Sequence, residues 1–260
     1  MYPILLQVGS LTIYSLWVLL ALGIFTSLLI VNQLAKSRLT KLSFLAENSL
    51  LIFFCGLIMA RILFIIYNFN FFWDDVVNQG HVLDLIYIWD KGLSVWGALI
   101  GVLGSLYLLC RKSKEDFLAW SDIIMISIFF GMIFTDIGAF FDGRNYGSPT
   151  DLPWGIIVET SQYAVPIHPV QLYAAIYSGL IGLILFLLFS REQFKKSGGI
   201  TWLGLTLYCF FRFLEEFIRG DESNLLFGVM REAQLYSLIG LFFGGYMLYR
   251  YFKQYYKENS

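Results

Sequence analysis

SDIIMISIFFGMIFTDIGAFFDG, residues 121–143, is a 23-residue apolar run that carries Asp136 seven residues before its end. A helix crossing the hydrocarbon core needs about 20 mostly apolar residues, so the stretch reads as a membrane span. The chain then turns polar at once, in RNYGSPTDLPWG, residues 144–155. Either the helix simply exits into water there, or polar groups are held where a lipid or a peptide can meet them. Asp142, Arg144 and the glycines Gly138, Gly143 and Gly147 all fall in this transition.

The rest of the chain has the same character. Of 260 residues, 58% are hydrophobic and only 14% charged, with a mean hydropathy of +0.67. That balance cannot cover a soluble surface and belongs to a polytopic membrane protein. Runs of spanning length fall at about 12–34, 48–68, 92–111, 121–143, 170–190, 198–217 and 232–251. The expectation is an all-α fold of seven transmembrane helices in a single domain, 1–260. Lys and Arg set its orientation. Lys36, Arg38, Lys41, Arg111, Lys112, Lys114, Arg191, Lys195, Lys196, Arg250, Lys253 and Lys257 alternate with loops holding only Lys91, Arg144, Arg219 and Arg231. The N-terminus is therefore expected outside and the C-terminus in the cytoplasm. No basic leader with a small-residue cleavage site precedes the first run, which is expected to be retained. Cys55, Cys110 and Cys209 lack metal-site or CxxC spacing, and read as buried thiols. No metal, cofactor or nucleic-acid partner is expected. Gly97 and Gly101, four apart in WGALIG, suit close helix packing.

Ionisable groups inside a membrane are costly and mark cavities or partners. Arg61 stands in the second span, Asp136 in the fourth, and Arg212, Glu215 and Glu216 late in the sixth. All three spans run outward, and counting back from their ends puts the three positions about 8–10 Å below the outer hydrocarbon boundary. Tyr14, Trp96, His168 and Tyr173 lie near the outer ends of other spans, and Tyr208 shares a helical face with Arg212. Snorkelling arginines or a structural Arg–Asp pair would be the plainer explanation. The gathering of polar groups at headgroup level points instead to an anionic lipid, because a guanidinium grips phosphate oxygens with paired donors. Transfer, hydrolysis and flipping of that lipid all remain open on these grounds.

Order and spacing add a resemblance over nearly the whole chain. HPVQLY (168–173), YCFFRFLEEFIR (208–219), REAQLYSL (231–238), SPTDLPWG (148–155), Tyr14 and the Arg61 of GLIMAR resemble the prolipoprotein diacylglyceryl transferase family. TDIGAFFDGRNYG, residues 135–147, departs from the family signature Gly-Arg-x-Gly-Asn-Phe-x-Asn-Gly-Glu-x-x-Gly. The glycines Gly138, Gly143 and Gly147 and Phe140 remain, but the usual Arg is Asp136, the Glu is Arg144 and the two Asn are Ala139 and Asp142. Trp96 stands where the family commonly has His.

The resemblance implies a bacterial inner-membrane enzyme with its site toward the outer leaflet. It would move the diacylglyceryl group of phosphatidylglycerol to the thiol of a lipoprotein-precursor cysteine, in the signal-peptide region, forming a thioether. Arg212, Tyr208, Asp136 and Arg144 would be catalytic, with Arg212 on the phosphate. Tyr14, Arg61, Trp96, Gly138, Gly143, Gly147, His168 and Glu216 would shape the substrate site among membrane lipids. Asp136 and His168 are candidate bases, unless the arginine field alone generates the thiolate. The swap of Asp136 and Arg144 implies charge compensation along the loop. The rival reading is a non-catalytic lipid-binding relative. A retinal protein is excluded because the last span holds no lysine, and no internal repeat favours a transporter.

Overall fold

The computed structural model describes residues 3–9, 11–38, 43–70, 72–73, 92–158, 162–194, 196–221, 225–226 and 230–259. Expectations for Lys41, Lys91 and Lys195 lie outside these residues. Among them run seven helices: α1 (Ser15–Arg38), α2 (Ser43–Tyr67), α3 (Val95–Ser113), α4 (Phe117–Asp142), α5 (Val170–Ser190), α6 (Gly199–Glu215) and α7 (Glu232–Asn259). The first five are long and apolar enough to cross a membrane, which makes this a polytopic α-helical membrane protein. α6 and α7 occupy the other two expected positions without meeting that standard: α6 has 17 residues, and α7 ends in a stretch carrying Arg250, Lys253 and Lys257. After α6 the chain tightens into i→i−3 bonds, Phe217 N to Leu214 O at 3.2 Å and Ile218 N to Glu215 O at 3.0 Å, as helix ends commonly do.

Two short hairpins complete the described chain. Strands β1 (Ile4–Val8) and β2 (Leu11–Tyr14) pair antiparallel around Gly9, whose φ of +60° suits a tight turn. β3 (Leu225–Leu226) and β4 (Met230–Arg231) pair just before α7. The first hairpin corrects the expectation of a helical span from residue 12: Tyr14 is the last residue of a strand. The alternation of apolar Leu11 and Ile13 with hydroxyl-bearing Thr12 and Tyr14 was masked by the apolar run that follows.

The chain divides into two compact units, residues 38–117 and the remainder. In the smaller, α2 packs on α3 where Gly97 and Gly101 press against the backbone of Met59–Ala60 and Cys55–Gly56, leaving no room for a Cβ. Backbones that approach this closely gain dispersion contacts in place of the hydrophobic drive that lipid does not supply. Ser94 starts α3 by accepting from Gly97 N at 3.4 Å, and Lys114 ends it in the left-handed region.

The larger unit is organised around α4. Trp120, Ile123, Ile126 and Phe129, three residues apart, are buried on one face of it. α1 crosses α4 where Gly23 meets Gly131, with Ser27 Oγ donating to Ser127 O at 2.9 Å. On α1, Phe25, Leu28 and Leu29 are more than half exposed, an apolar surface suited to lipid rather than water. α6 begins at Gly198, which has φ +97° and no capping side chain of its own. Asp122, buried at 5% exposure on α4, supplies the missing acceptor. Its Oδ2 takes Gly198 N at 2.7 Å, and its Oδ1 takes Thr201 N at 2.7 Å and Thr201 Oγ1 at 2.6 Å. A carboxylate at a helix N-terminus satisfies orphan donors and complements the dipole.

Asp122→Ala should therefore leave three buried donors unmet and lower stability by about 2–4 kcal/mol. Thermal unfolding of the purified protein in detergent measures this, with Asp122→Asn expected to fall between the two.

Candidate functional site

Two adjacent glutamates end α6, Glu215 at 6% exposure and Glu216 at 3%. Negative charge is unfavourable at a helix C-terminus and costly when buried, so it demands cations. Three arginines meet the demand. Arg212, one turn back, pairs through Nη1 with Glu215 and through Nη2 with Glu216. Arg219, one turn on, lies 3.5 Å from Glu215 through Nη1 and 3.7 Å from Glu216 through Nε, and its Nε and Nη2 donate to Asp221. Arg231 arrives from β4, with Nε 2.8 Å from Glu216 Oε2 and Nη2 2.8 Å from Asp221 Oδ1. It also donates to the carbonyls of Arg219 at 3.0 Å and Asp221 at 2.9 Å. Gln234 closes the first turn of α7 by accepting from Arg231 N at 3.1 Å.

The segment after α4 is laced to this cluster. Gly143, at φ +75°, ends the helix, with Gly143 N on Phe140 O at 3.3 Å and Arg144 N on Ala139 O at 3.1 Å. Asn145 adopts φ +56°, and its Oδ1 accepts from Arg219 Nη2 at 3.1 Å. Ser148 N bonds Ile218 O at 2.8 Å and Gly220 N bonds Tyr146 O at 3.0 Å. Gly147 N bonds His168 O at 3.2 Å, and His168 N returns to Ser148 O at 3.0 Å. Gly147 is hemmed in by His168 and Gly220 by Gly147, so neither has space for a side chain.

Between these elements lies a cavity of about 200 Å³, lined among others by Asp136, Gln171, Tyr177, Tyr208, Arg212 and Arg219. Tyr177 donates its hydroxyl to Glu215 Oε2 at 2.7 Å, and its ring stacks on Phe211 with centroids 5.4 Å apart. Tyr208 packs tilted against Phe129 and Tyr177, with ring centroids at 6.0 and 6.5 Å. Gln171, 3% exposed, donates its Nε2 to the Arg144 carbonyl. Asp136 Oδ2 is buried and has no hydrogen-bond partner among the described residues.

The structure thus brings Asp136, Tyr208, Arg212 and Glu216 together, and gives Arg144, His168 and Gly138 of the same unit other surroundings. Arg144 does not line the cavity. It pairs with Asp142 and its side chain is 72% exposed. Asp136 and Arg144 do not pair, because the left-handed turn at Gly143 sends Arg144 to Asp142 while Asp136 stays inside α4. His168 holds Tyr173 Oη at 3.4 Å, and Trp154 Nε1 donates to the same hydroxyl at 2.7 Å. With its backbone tied to Gly147 and Ser148, His168 fits the structural role of a histidine before proline. Gly138 packs against Leu16 and Leu19 of α1 rather than lining the loop. Arg61 and Trp96 belong to the smaller unit. There Arg61 Nη1 donates to Gly92 O at 2.9 Å, and its guanidinium lies 5.2 Å from the Phe72 ring and 5.7 Å from the Phe64 ring. Trp96 is 45% exposed. Tyr14, in β2, is 44% exposed. Gln171, Asn145 and Tyr177 were not singled out from the sequence. Gln171 lies within the quoted HPVQLY, but a lone Gln at a helix start carries no distinguishing signal.

The family model described as prolipoprotein diacylglyceryl transferase matches residues 3–250. A protein of Clostridium tetani called phosphatidylglycerol–prolipoprotein diacylglyceryl transferase is 28% identical over 247 residues, covering 94% of this chain and 95% of its own. The protein of that name from Aeromonas salmonicida is 33% identical, covering 77% and 72%. The one from Bordetella avium is 38% identical over a shorter 65% and 64%.

Burial by itself would raise the Asp221 carboxyl, but its bonds to Arg219 and Arg231 outweigh that and hold it below the usual carboxylate value. A group depressed in the folded state stabilises fully above its unfolded pKa, about 3.9, and loses that contribution as pH falls through the folded one. The stability gap between wild type and Asp221→Asn should be widest near neutral pH and close as the pH drops below 4. Melting curves of both proteins across that range check it, and a gap independent of pH would contradict it.

Proposed function

The chain belongs to the prolipoprotein diacylglyceryl transferase family, and from that premise we propose that it moves the diacylglyceryl group of phosphatidylglycerol to a cysteine thiol of a lipoprotein precursor. The same reading has seven crossings, the N-terminus outside, the C-terminus cytoplasmic, and the site toward the outer leaflet of a bacterial inner membrane. The alternation of basic loops supports this orientation. The precursor would present its cysteine from the signal-peptide region.

In the transfer, sulfur attacks the glycerol carbon that bears the phosphate. The C–S bond forms as the C–O bond breaks, the bonding pair leaves on the phosphate oxygen, and the thiol proton goes to the departing glycerol phosphate. A free thiol has a pKa of about 8.5, so a positive field that favours the thiolate speeds attack. Charge grows on the leaving phosphate in the transition state, where a guanidinium stabilises it most. One observation carries the reading: Arg212 lines a cavity shared with Tyr208, and is held from behind by Glu215 and Glu216. That clamp fixes the guanidinium before substrate arrives. Tyr208 would orient the headgroup. Tyr14, Arg61 and Trp96 stay proposals of the family resemblance.

The rival, a lipid-binding relative without transfer, draws on a specific feature. Asp136 occupies the position of the family's usual arginine, and Arg144 does not line the cavity, leaving the site fewer cations for the leaving group.

Arg212→Lys keeps the charge but loses the paired donors, and is expected to lower kcat/KM by a factor of about 10²–10³. The assay is transfer from labelled phosphatidylglycerol to a precursor peptide. Wild-type protein that binds this lipid yet gives no thioether, and fails to complement a cell depleted of the transferase, would instead establish the rival.

A further inference from the structure

We propose that Asp136 and Gln171 form an acceptor subsite for the two headgroup hydroxyls of the donor lipid, beside the phosphate held by Arg212. The inference rests on phosphatidylglycerol being the donor, and names what in this chain selects it.

Two buried acceptors open the case. Gln171 is 3% exposed, and its Nε2 is committed to the Arg144 carbonyl, which orients the amide. That leaves Oε1 buried without a hydrogen-bond partner among the described residues. Asp136 Oδ2 is in the same condition, and both side chains line the one cavity. Buried acceptors are nearly always satisfied, and an exception calls for an explanation such as a water, an ion or a ligand that completes it. The neighbouring arginines do not meet them: Arg212 is engaged by Glu215 and Glu216, and Arg219 by Asp221 and Asn145.

The occupant must therefore bring donors, and a bare phosphate brings too few. A glycerol headgroup carries two hydroxyls, each able to donate to one acceptor, on the far side of the phosphate from the diacylglyceryl carbon. With the phosphate on Arg212, the diol reaches Asp136 and Gln171 on α4 and α5. The carboxylate at 136 then has a positive use. It reads the headgroup, where an arginine would only add a second grip on phosphate. A site of this kind rejects an analogue lacking the hydroxyls, because its acceptors would be left unpaired.

Equilibrium binding of dihexanoyl phosphatidylglycerol, phosphatidic acid and phosphatidylethanolamine to the purified full-length protein in detergent tests this. Asp136→Asn, which keeps an acceptor oxygen, is compared with Asp136→Leu, which does not. An unchanged melting curve confirms intact variants. Wild type should prefer phosphatidylglycerol over phosphatidic acid by about tenfold or more. Asp136→Leu and Gln171→Leu should bring that ratio near one, with Asp136→Asn between. An unchanged ratio in Asp136→Leu overturns the subsite. So does tighter wild-type binding of phosphatidylethanolamine that depends on Asp136, which would assign the pocket to an ammonium. Transfer to a precursor peptide, measured in parallel, separates this from the catalytic reading. Selective binding without transfer leaves the subsite standing and removes the activity, whereas transfer without Asp136-dependent selectivity does the reverse.

Discussion

Two buried glutamates at the C-terminal end of α6 are the constraint from which the rest of the site follows. Glu215 and Glu216 sit where the helix dipole is already negative and where burial removes water. Uncompensated, either would be intolerable, so Arg212, Arg219 and Arg231 must be exactly where chain geometry can deliver them. Arg212 and Arg219 come from the turns on either side. Arg231 comes from a different element and so ties the start of α7 to the end of α6. Asp221 joins the second and third arginines and completes the knot.

The knot also decides where the segment after α4 goes. Arg219 reaches Asn145, Gly147 bridges to Arg219, and Gly220 leaves no space between the two strands of chain. These bonds hold the 143–150 segment against the end of α6, and with it the His168–Pro169 entrance to α5. Gln171 and Tyr177 then fall on the cavity side of α5, facing the α4 and α6 groups. Arg212, Arg219 and the Gln171 amide nitrogen are preorganised there, anchored by Glu216, Asp221 and the Arg144 carbonyl, none of which lines the cavity.

Much of the helical frame was legible from hydropathy. All seven runs contain helices, since twenty apolar residues have few other stable conformations in lipid. Ends shifted by up to eight residues, and at the start of α3 the Ser94 cap, rather than hydropathy, sets the boundary. Gly97 and Gly101 were readable as a contact stripe because only small residues admit the observed backbone approach. The N-terminal hairpin was not legible, its strands being short and followed directly by an apolar span. Asp122 was passed over for a related reason. Near the start of a span it resembles an ordinary helix-start residue, and only the fold brings Gly198 and Thr201 to it.

The sequence by itself determined a multi-helix membrane protein, its family, and the order Tyr208–Arg212–Glu216–Arg219, because hydropathy and spacing within one helix are local properties. Tertiary structure alone decided which charges meet. Arg144 and Asp136 are eight residues apart and looked like partners, yet one left-handed turn at Gly143 sends Arg144 to Asp142 and leaves Asp136 in the cavity. Arg231 and Glu216 are fifteen apart and gave no sign of pairing, yet they meet at 2.8 Å. The physical reason is that charge interactions depend on separation in space and on burial, and neither is set until the chain between two groups has taken its path.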